Sequence, residues 1–221
     1  MRIGLFGGTF NPVHYGHLRA AKEVCEEFEL QNLYFIPSAL PPHKDLKAVA
    51  SAVDRLEMTR LAVKDNPEFI LSDVELQRPG LSYTIDTVKH FKKNLNPNGE
   101  LFLIMGVDAF LEIDTWKSFK QLFSMLPMII MTRPLPDGRP HSLEWENITA
   151  FIQNKISGSY QFSDKRGCYQ HHQHYPVYRF SISMLDISAT KIRKLIQHGK
   201  SIQFLVPQSV EKFIYKRGIF A

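Results

Sequence analysis

Two cysteines in 221 residues are too few for the disulfide frameworks of small secreted domains. A chain of this length buries a sizeable core without them. Nor does any stretch approach 18 uninterrupted apolar residues. The best candidate, Leu122–Met131, is short and carries Ser124 and Pro127, which argues against a transmembrane helix. The opening MRIGLFGGTF is too brief an apolar run for a signal peptide, so a cytoplasmic location is expected. No G-x-G-x-x-G and no Walker loop is present, and hydride transfer and P-loop hydrolysis both lose support. Internal repeats and low-complexity tracts are also missing. Net charge is missing from most of the chain. The surplus of five positive charges lies wholly within residues 182–221, which hold seven Lys/Arg against two acids. Such an end suits a polyanion, from nucleic acid to a single nucleotide, or is simply a solvated helical face.

What is present is an alternation of strand-like and helix-like segments. Arg2–Phe6, Leu33–Ile36, Leu101–Met105, Met128–Thr132 and Val177–Ser181 are short apolar runs that read as strands. Phe69–Leu76 reads as an extended strand. Leu18–Leu30, Val53–Val63, Tyr83–Leu95, Ser188–His198 and Pro207–Arg217 show helical spacing. Ser82 is expected to cap the third of these, and Arg55 is a weak candidate for an anion site that reads more simply as a solvated helix charge. Near-continuous apolar strands between amphipathic helices imply an α/β fold: a Rossmann-like open parallel sheet with helices on both faces and a small C-terminal helical extension. Pro134–Pro140 and the polar Ser157–His174 suggest a variable insertion. Cys168 and the His171-His172-Gln173-His174 cluster match no standard zinc spacing and read as a solvated loop. Cys25 reads as a buried helix residue.

An open parallel sheet binds ligands beyond the carboxyl ends of its strands. After the first strand comes Gly7-Gly8-Thr9-Phe10-Asn11-Pro12-Val13-His14-Tyr15-Gly16-His17. Two glycines let the backbone turn tightly beside a ligand. His14 and His17, three apart at the mouth of a helix, face one way with the helix's positive end behind them, an arrangement suited to phosphate.

This segment resembles the G-x-F-[DN]-P-x-H-x-G-H motif of the nucleotidylyltransferase superfamily. Ile187-Ser188-Ala189-Thr190-Lys191-Ile192-Arg193 resembles its second motif, I-S-x-T-x-[IL]-R, in the expected order. Four further motifs narrow the resemblance to the bacterial nicotinate-nucleotide adenylyltransferases. They are Ile36-Pro37 with Pro41-Pro42-His43-Lys44, Ser82-Tyr83-Thr84, Gly106-Val107-Asp108 and Asp114-Thr115-Trp116. Asn11 departs slightly, since many members carry Asp there.

The resemblance implies transfer of AMP from ATP to nicotinate mononucleotide, giving deamido-NAD and pyrophosphate. It implies a single nucleotidylyltransferase domain over 1–221, with 182–221 completing the ATP site. His17, His14 and Arg193 would be catalytic. Gly7, Gly8, Thr9, Phe10, Gly106, Asp108, Ser188 and Thr190 would join them in binding ATP, Asp108 through ribose hydroxyls or else as a helix cap. His43 and Lys44 would take the mononucleotide phosphate, Trp116 would stack on the pyridine ring, and Ser82, Tyr83 and Thr84 would receive the nicotinate carboxylate. Mg²⁺ would be held mainly by ATP phosphates and water, with no protein ligand set. No nucleic-acid or membrane partner is implied, and a homo-oligomer is compatible with the reading. Phosphopantetheine adenylyltransferases and cytidylyltransferases share the histidine chemistry but lack the combination of P-P-H-K, S-Y-T and D-T-W. A nucleotide sensor could keep the same pocket without turnover.

Overall fold

The computed structural model describes residues 1–41, 49–95, 99–132 and 142–221. In chain order the strands and helices are β1 (Arg2–Gly8), α1 (Tyr15–Glu27), β2 (Asn32–Pro37), α2 (Ala52–Val63), β3 (Phe69–Leu71), α3 (Thr84–Asn94), β4 (Glu100–Gly106), α4 (Val107–Leu111), α5 (Phe119–Phe123), β5 (Met128–Thr132), α6 (Ser142–Phe151), β6 (Gln161–Ser163), β7 (Cys168–Gln170), β8 (Val177–Ser181), α7 (Ala189–Gln197) and α8 (Gln208–Arg217). The strand order is β3-β2-β1-β4-β5-β8-β7-β6. The pairs β2–β3, β4–β5 and β5–β8 are parallel, with Met105 opposite Ile130 and Met131 opposite Phe180. The sheet is therefore the expected open, mostly parallel one. Every residue of β5 is buried, which requires cover on both of its faces. Among the described residues no helix is long and apolar enough to cross a membrane.

The chain divides into two compact units. The first comprises Met1–Leu5 and Tyr83–Met184, the second Phe6–Ser82 and Leu185–Ala221. The core of the first is built on β4 and β5, with Phe110, Ile113 and Phe123 buried beside them. An edge was not visible in the sequence: β6 and β7 form an antiparallel hairpin that extends β8. Polar Ser157–His174 is thus folded structure rather than a loop throughout. Arg179 of β8 fastens it, its guanidinium lying 3.4 Å from the Phe162 ring centroid and 4.8 Å from that of Trp145. Cys168 in β7 is buried.

The histidine cluster closes this edge. His171 Nε2 meets Ser157 Oγ at 3.0 Å, and its Nδ1 accepts from Gln173 N–H at 3.0 Å. Its ring stacks on His172 at 4.6 Å and lies 4.4 Å from His174. Desolvation, then His174 and His172, push His171 below the usual 6.5. A proton on Nδ1 would also set a donor against the Gln173 N–H. The folded state therefore binds this proton less well than the unfolded state does. The cluster's contribution is complete above pH 6.5 and is lost as pH falls through the lower folded value. Melting temperatures across pH 7.5 to 5 should fall less steeply in His171→Gln, and an unchanged slope would contradict the assignment.

The second unit packs α1, α2 and the C-terminal helices around β2 and the end of β1. On α1, Ala20, Ala21, Val24 and Cys25 are buried, and burial pushes the Cys25 thiol up to about 12, which keeps it protonated near neutral pH. Val210 and Ile214 of α8 are buried, Ser209 Oγ donates to Leu61 O at 3.1 Å, and Arg217 reaches Asp54 at 3.3 Å. Three expectations need correction here. Strand β3 stops at Leu71, because Ser72 and Asp73 turn the chain: Leu76 N–H donates to Asp73 O. Ser82 does not cap α3. Tyr83 holds that position, and Ser82 Oγ instead accepts from Ala39 N–H (2.9 Å) and Leu40 N–H (3.4 Å). Arg55 is no solvated charge: it is 1% exposed.

Candidate active site

The turn after β1 is shaped by its glycines and by one strained residue. Phe10 has φ of 47°, a left-handed conformation that costs a non-glycine residue about 1 kcal/mol. Its ring folds back over Gly8, where an added Cβ would lie 3.0 Å from Phe10 Cζ. The same ring packs on Phe6 and Phe35 (both 5.6 Å) and edge-on against His17 (5.2 Å). Asn11–Pro12 is cis. Asn11 Oδ1 accepts from Ala50 N–H at 3.0 Å, an acceptor role that Asn and Asp share.

His14 is the N-cap of α1 and His17 its third residue. Their rings stack at 3.7 Å with 27° between planes. His14 N–H donates to His17 Nδ1 at 3.3 Å. That nitrogen must then be unprotonated, which assigns the proton of neutral His17 to Nε2, the donor face. Gly16 makes room for the pair: a Cβ there would stand 3.0 Å from both Cε1 and Nδ1 of His14. Gly16→Ala should therefore displace His14 and lower kcat/KM for ATP about tenfold or more. The melting temperature should hold or rise, because alanine favours the helix. Unchanged kinetics would show that the ring moves without consequence.

Helix α7 brings the second motif to the same unit. Ser188 is its N-cap and accepts from Lys191 N–H at 3.2 Å. Arg193 bridges the motifs: Nη1 donates to Asn11 O at 2.8 Å and Nη2 to Thr190 Oγ1 at 3.2 Å. Partial burial lowers its pKa from the ordinary arginine value. Lys191 is paired with Asp186 at 2.9 Å, which neutralises it locally. An open groove along α7 is lined by Ser188, Thr190, Lys194 and Lys200. Lys194 and Lys200 are not among the residues expected from the motifs, and their spacing from Thr190 along the chain is the signal that could find them.

The second unit thus brings together Gly7, Gly8, Thr9, Phe10, His14, His17, Ser188, Thr190 and Arg193, and it also holds Ser82. Tyr83, Thr84, Gly106, Asp108 and Trp116 belong to the first unit. There Gly106 is the N-cap of α4, so Asp108 is not, and Asp108 stands exposed in the first turn. Trp116 is half-buried after a 3₁₀ turn, and neighbouring Asp114 pairs with Lys155 at 3.7 Å. Thr84 opens α3, and the Tyr83 ring lies 4.6 Å from Lys117 Nζ. His43 and Lys44 fall outside the described residues.

A glycine turn after the first strand, a stacked histidine pair at a helix N-terminus and an arginine from a late helix define a class, the cytidylyltransferase-like proteins. That family's model matches residues 5–195. A relative in Desulfatibacillum aliphaticivorans, curated as a probable nicotinate-nucleotide adenylyltransferase, is 42% identical over 221 residues, all of both chains. A second of that name, in Geobacter sulfurreducens, is 38% identical and covers 100% of this chain and 99% of its own. The chain belongs to the nicotinate-nucleotide adenylyltransferase family. The fold is also that of the Plasmodium falciparum nicotinic acid mononucleotide adenylyltransferase complexed with NaAD. The TM-score is 0.72 at 16% identity, covering 99% of this chain and 97% of that one.

Proposed function

We propose that this chain transfers AMP from ATP to nicotinate mononucleotide, giving deamido-NAD and pyrophosphate in NAD biosynthesis. The observation that carries the reading is the bond from Arg193 to the Asn11 carbonyl, which joins the two phosphate-binding motifs into one arrangement. A phosphate oxygen of the mononucleotide attacks the α-phosphorus in line, the bond to the bridging oxygen breaks, and pyrophosphate leaves. No protein nucleophile takes part. The chain supplies position and donors for the charge that develops.

His17 Nε2–H donates to an α-phosphate oxygen, and His14 holds a neighbouring one. Gly7, Gly8, Thr9 and Phe10 lend main-chain contacts to the nucleotide. Ser188, Thr190 and Arg193, with the free end of α7, receive the β- and γ-phosphates. Residues 182–221 complete the ATP site of a single nucleotidylyltransferase domain. Asp108 and Gly106 take the ribose, Trp116 the pyridine ring, and His43 and Lys44 the mononucleotide phosphate. Tyr83 and Thr84 at the start of α3 favour a carboxylate over an amide, whose NH₂ would set donors against donors. Among the described residues, the motif side chains of His14, His17, Ser188, Thr190 and Arg193 are imidazole, hydroxyl and guanidinium, a set that would suit Mg²⁺ as a companion of the triphosphate. Bound with ATP, the ion would neutralise charge on the leaving pyrophosphate.

The test is pyrophosphate release from ATP and Mg²⁺ with three acceptors offered separately. Nicotinate mononucleotide should turn over fastest, nicotinamide mononucleotide more slowly, and phosphopantetheine not at all. No turnover with either pyridine nucleotide would sink the reading.

A further inference from the structure

Burying a guanidinium is costly unless its donors find acceptors. Arg55 heads the fully buried large side chains. Its Nη1 donates to Thr9 O at 2.8 Å, its Nη2 to Ala39 O at 3.0 Å and its Nε to Ala50 O at 3.0 Å. All three acceptors are main-chain carbonyls, and they come from three places: the turn after β1, the turn after β2 and the approach to α2. Burial lowers its pKa, and buried Glu75 is the acid whose field opposes that shift. Two more bonds tie the same segments. Ser38 N–H donates to Gly8 O at 2.9 Å, and Ala50 N–H to Asn11 Oδ1.

The bond to Thr9 fixes the direction of one peptide. In a planar trans peptide the C=O and the N–H point opposite ways. With Thr9 O drawn toward Arg55, the Phe10 N–H is aimed away from it. This orientation is the one that leaves Phe10 at φ of 47°. Turning the peptide over would carry φ of Phe10 into the ordinary extended region and relieve the strain. It would also exchange the N–H on the side away from Arg55 for a carbonyl oxygen, which repels phosphate. Something must hold the strained peptide in place, and Arg55 is the group bonded to it.

We propose that Arg55 is a positioning residue for adenylyl transfer: it clamps the Thr9–Phe10 peptide so that the Phe10 N–H is presented to ATP. The inference rests on the adenylyl-transfer reading for the identity of the ligand. A guanidinium reaches three carbonyls from one plane, whereas an ammonium is a single point of charge. Charge alone is therefore not enough.

Calorimetric titration of the full chain with ATP and Mg²⁺ tests it. Arg55→Lys and Arg55→Met should both bind ATP at least about tenfold more weakly than the wild type. In kinetics, KM for ATP should rise more than KM for nicotinate mononucleotide. A purely structural role would lower the melting temperature and the active fraction but leave the affinity of folded molecules unchanged. Arg60→Gln, which cuts the surface pair with Glu57 on the same helix as Arg55, should bind ATP as the wild type does. A folded Arg55→Lys that binds ATP within about twofold of the wild type would overturn the proposal. In the wild type, the Phe10 amide resonance should shift on titration with ATP and Mg²⁺, and an unmoved resonance would overturn it equally, even if both variants fail to fold. A wild-type chain that binds ATP without turning over nicotinate mononucleotide would contradict the functional reading and not this one.

Discussion

Alanine in place of His17 is expected to lower kcat at least about a hundredfold while the protein stays folded. In-line displacement at phosphorus uses no enzyme nucleophile, so rate depends on donors already aimed where charge develops. His17 is such a donor by construction. Its Nδ1 is occupied by the His14 N–H, so the proton of the neutral ring resides on Nε2. The ring is stacked on His14 at 3.7 Å and meets Phe10 edge-on at 5.2 Å. Truncation removes that donor and leaves the end of α1 and Arg193 in place. ATP should still bind, with KM changed far less than kcat, because the contact strengthens as the transition state forms. Circular dichroism and melting temperature should match the wild type. A folded His17→Ala with near-normal kcat would remove His17 from catalysis.

Arg193→Met should have the next largest effect, a fall of about a hundredfold in kcat/KM for ATP. Two losses combine. The triphosphate loses a cation, and the Asn11 carbonyl loses its donor, which leaves the turn that carries the histidines untied from α7. Arg193→Lys restores charge without the fork that spans Asn11 O and Thr190 Oγ1, so it should recover only part of the loss. If lysine restored full activity, charge alone would account for the residue and the bridge would be incidental. The KM for nicotinate mononucleotide should move less than that for ATP in both variants.

The residues that the sequence made legible share one property: their geometry is local. His14, Gly16 and His17 lie within one turn, and the start of α7 is written in Ser188-Ala189-Thr190. The parallel strands were legible because β4 and β5 are buried runs of Leu, Ile and Met. What periodicity could not reach were partners distant along the chain. Arg55 looked like one more charge beside Asp54, Glu57 and Arg60, yet its acceptors lie up to 46 residues away. A signal existed: Arg55 stands on the helical face of Met58, Thr59 and Val63, which is the buried one. Ser82 had suitable capping chemistry, but the main-chain donors of Ala39 and Leu40 claimed its hydroxyl. The β6–β7 hairpin escaped notice because each strand is three residues long and polar residues dominate it. Its anchor, Arg179 among aromatic rings, is a tertiary contact.

The central claim is adenylyl transfer, and the fate of the two ends of ATP tests it most directly. With nicotinate mononucleotide, Mg²⁺ and ATP labelled either at the α-phosphate or at the γ-phosphate, the α-label should appear in deamido-NAD and the γ-label in pyrophosphate, in equal amounts. An α-label found in AMP or ADP, or a γ-label found in free phosphate or on the mononucleotide, would contradict the account.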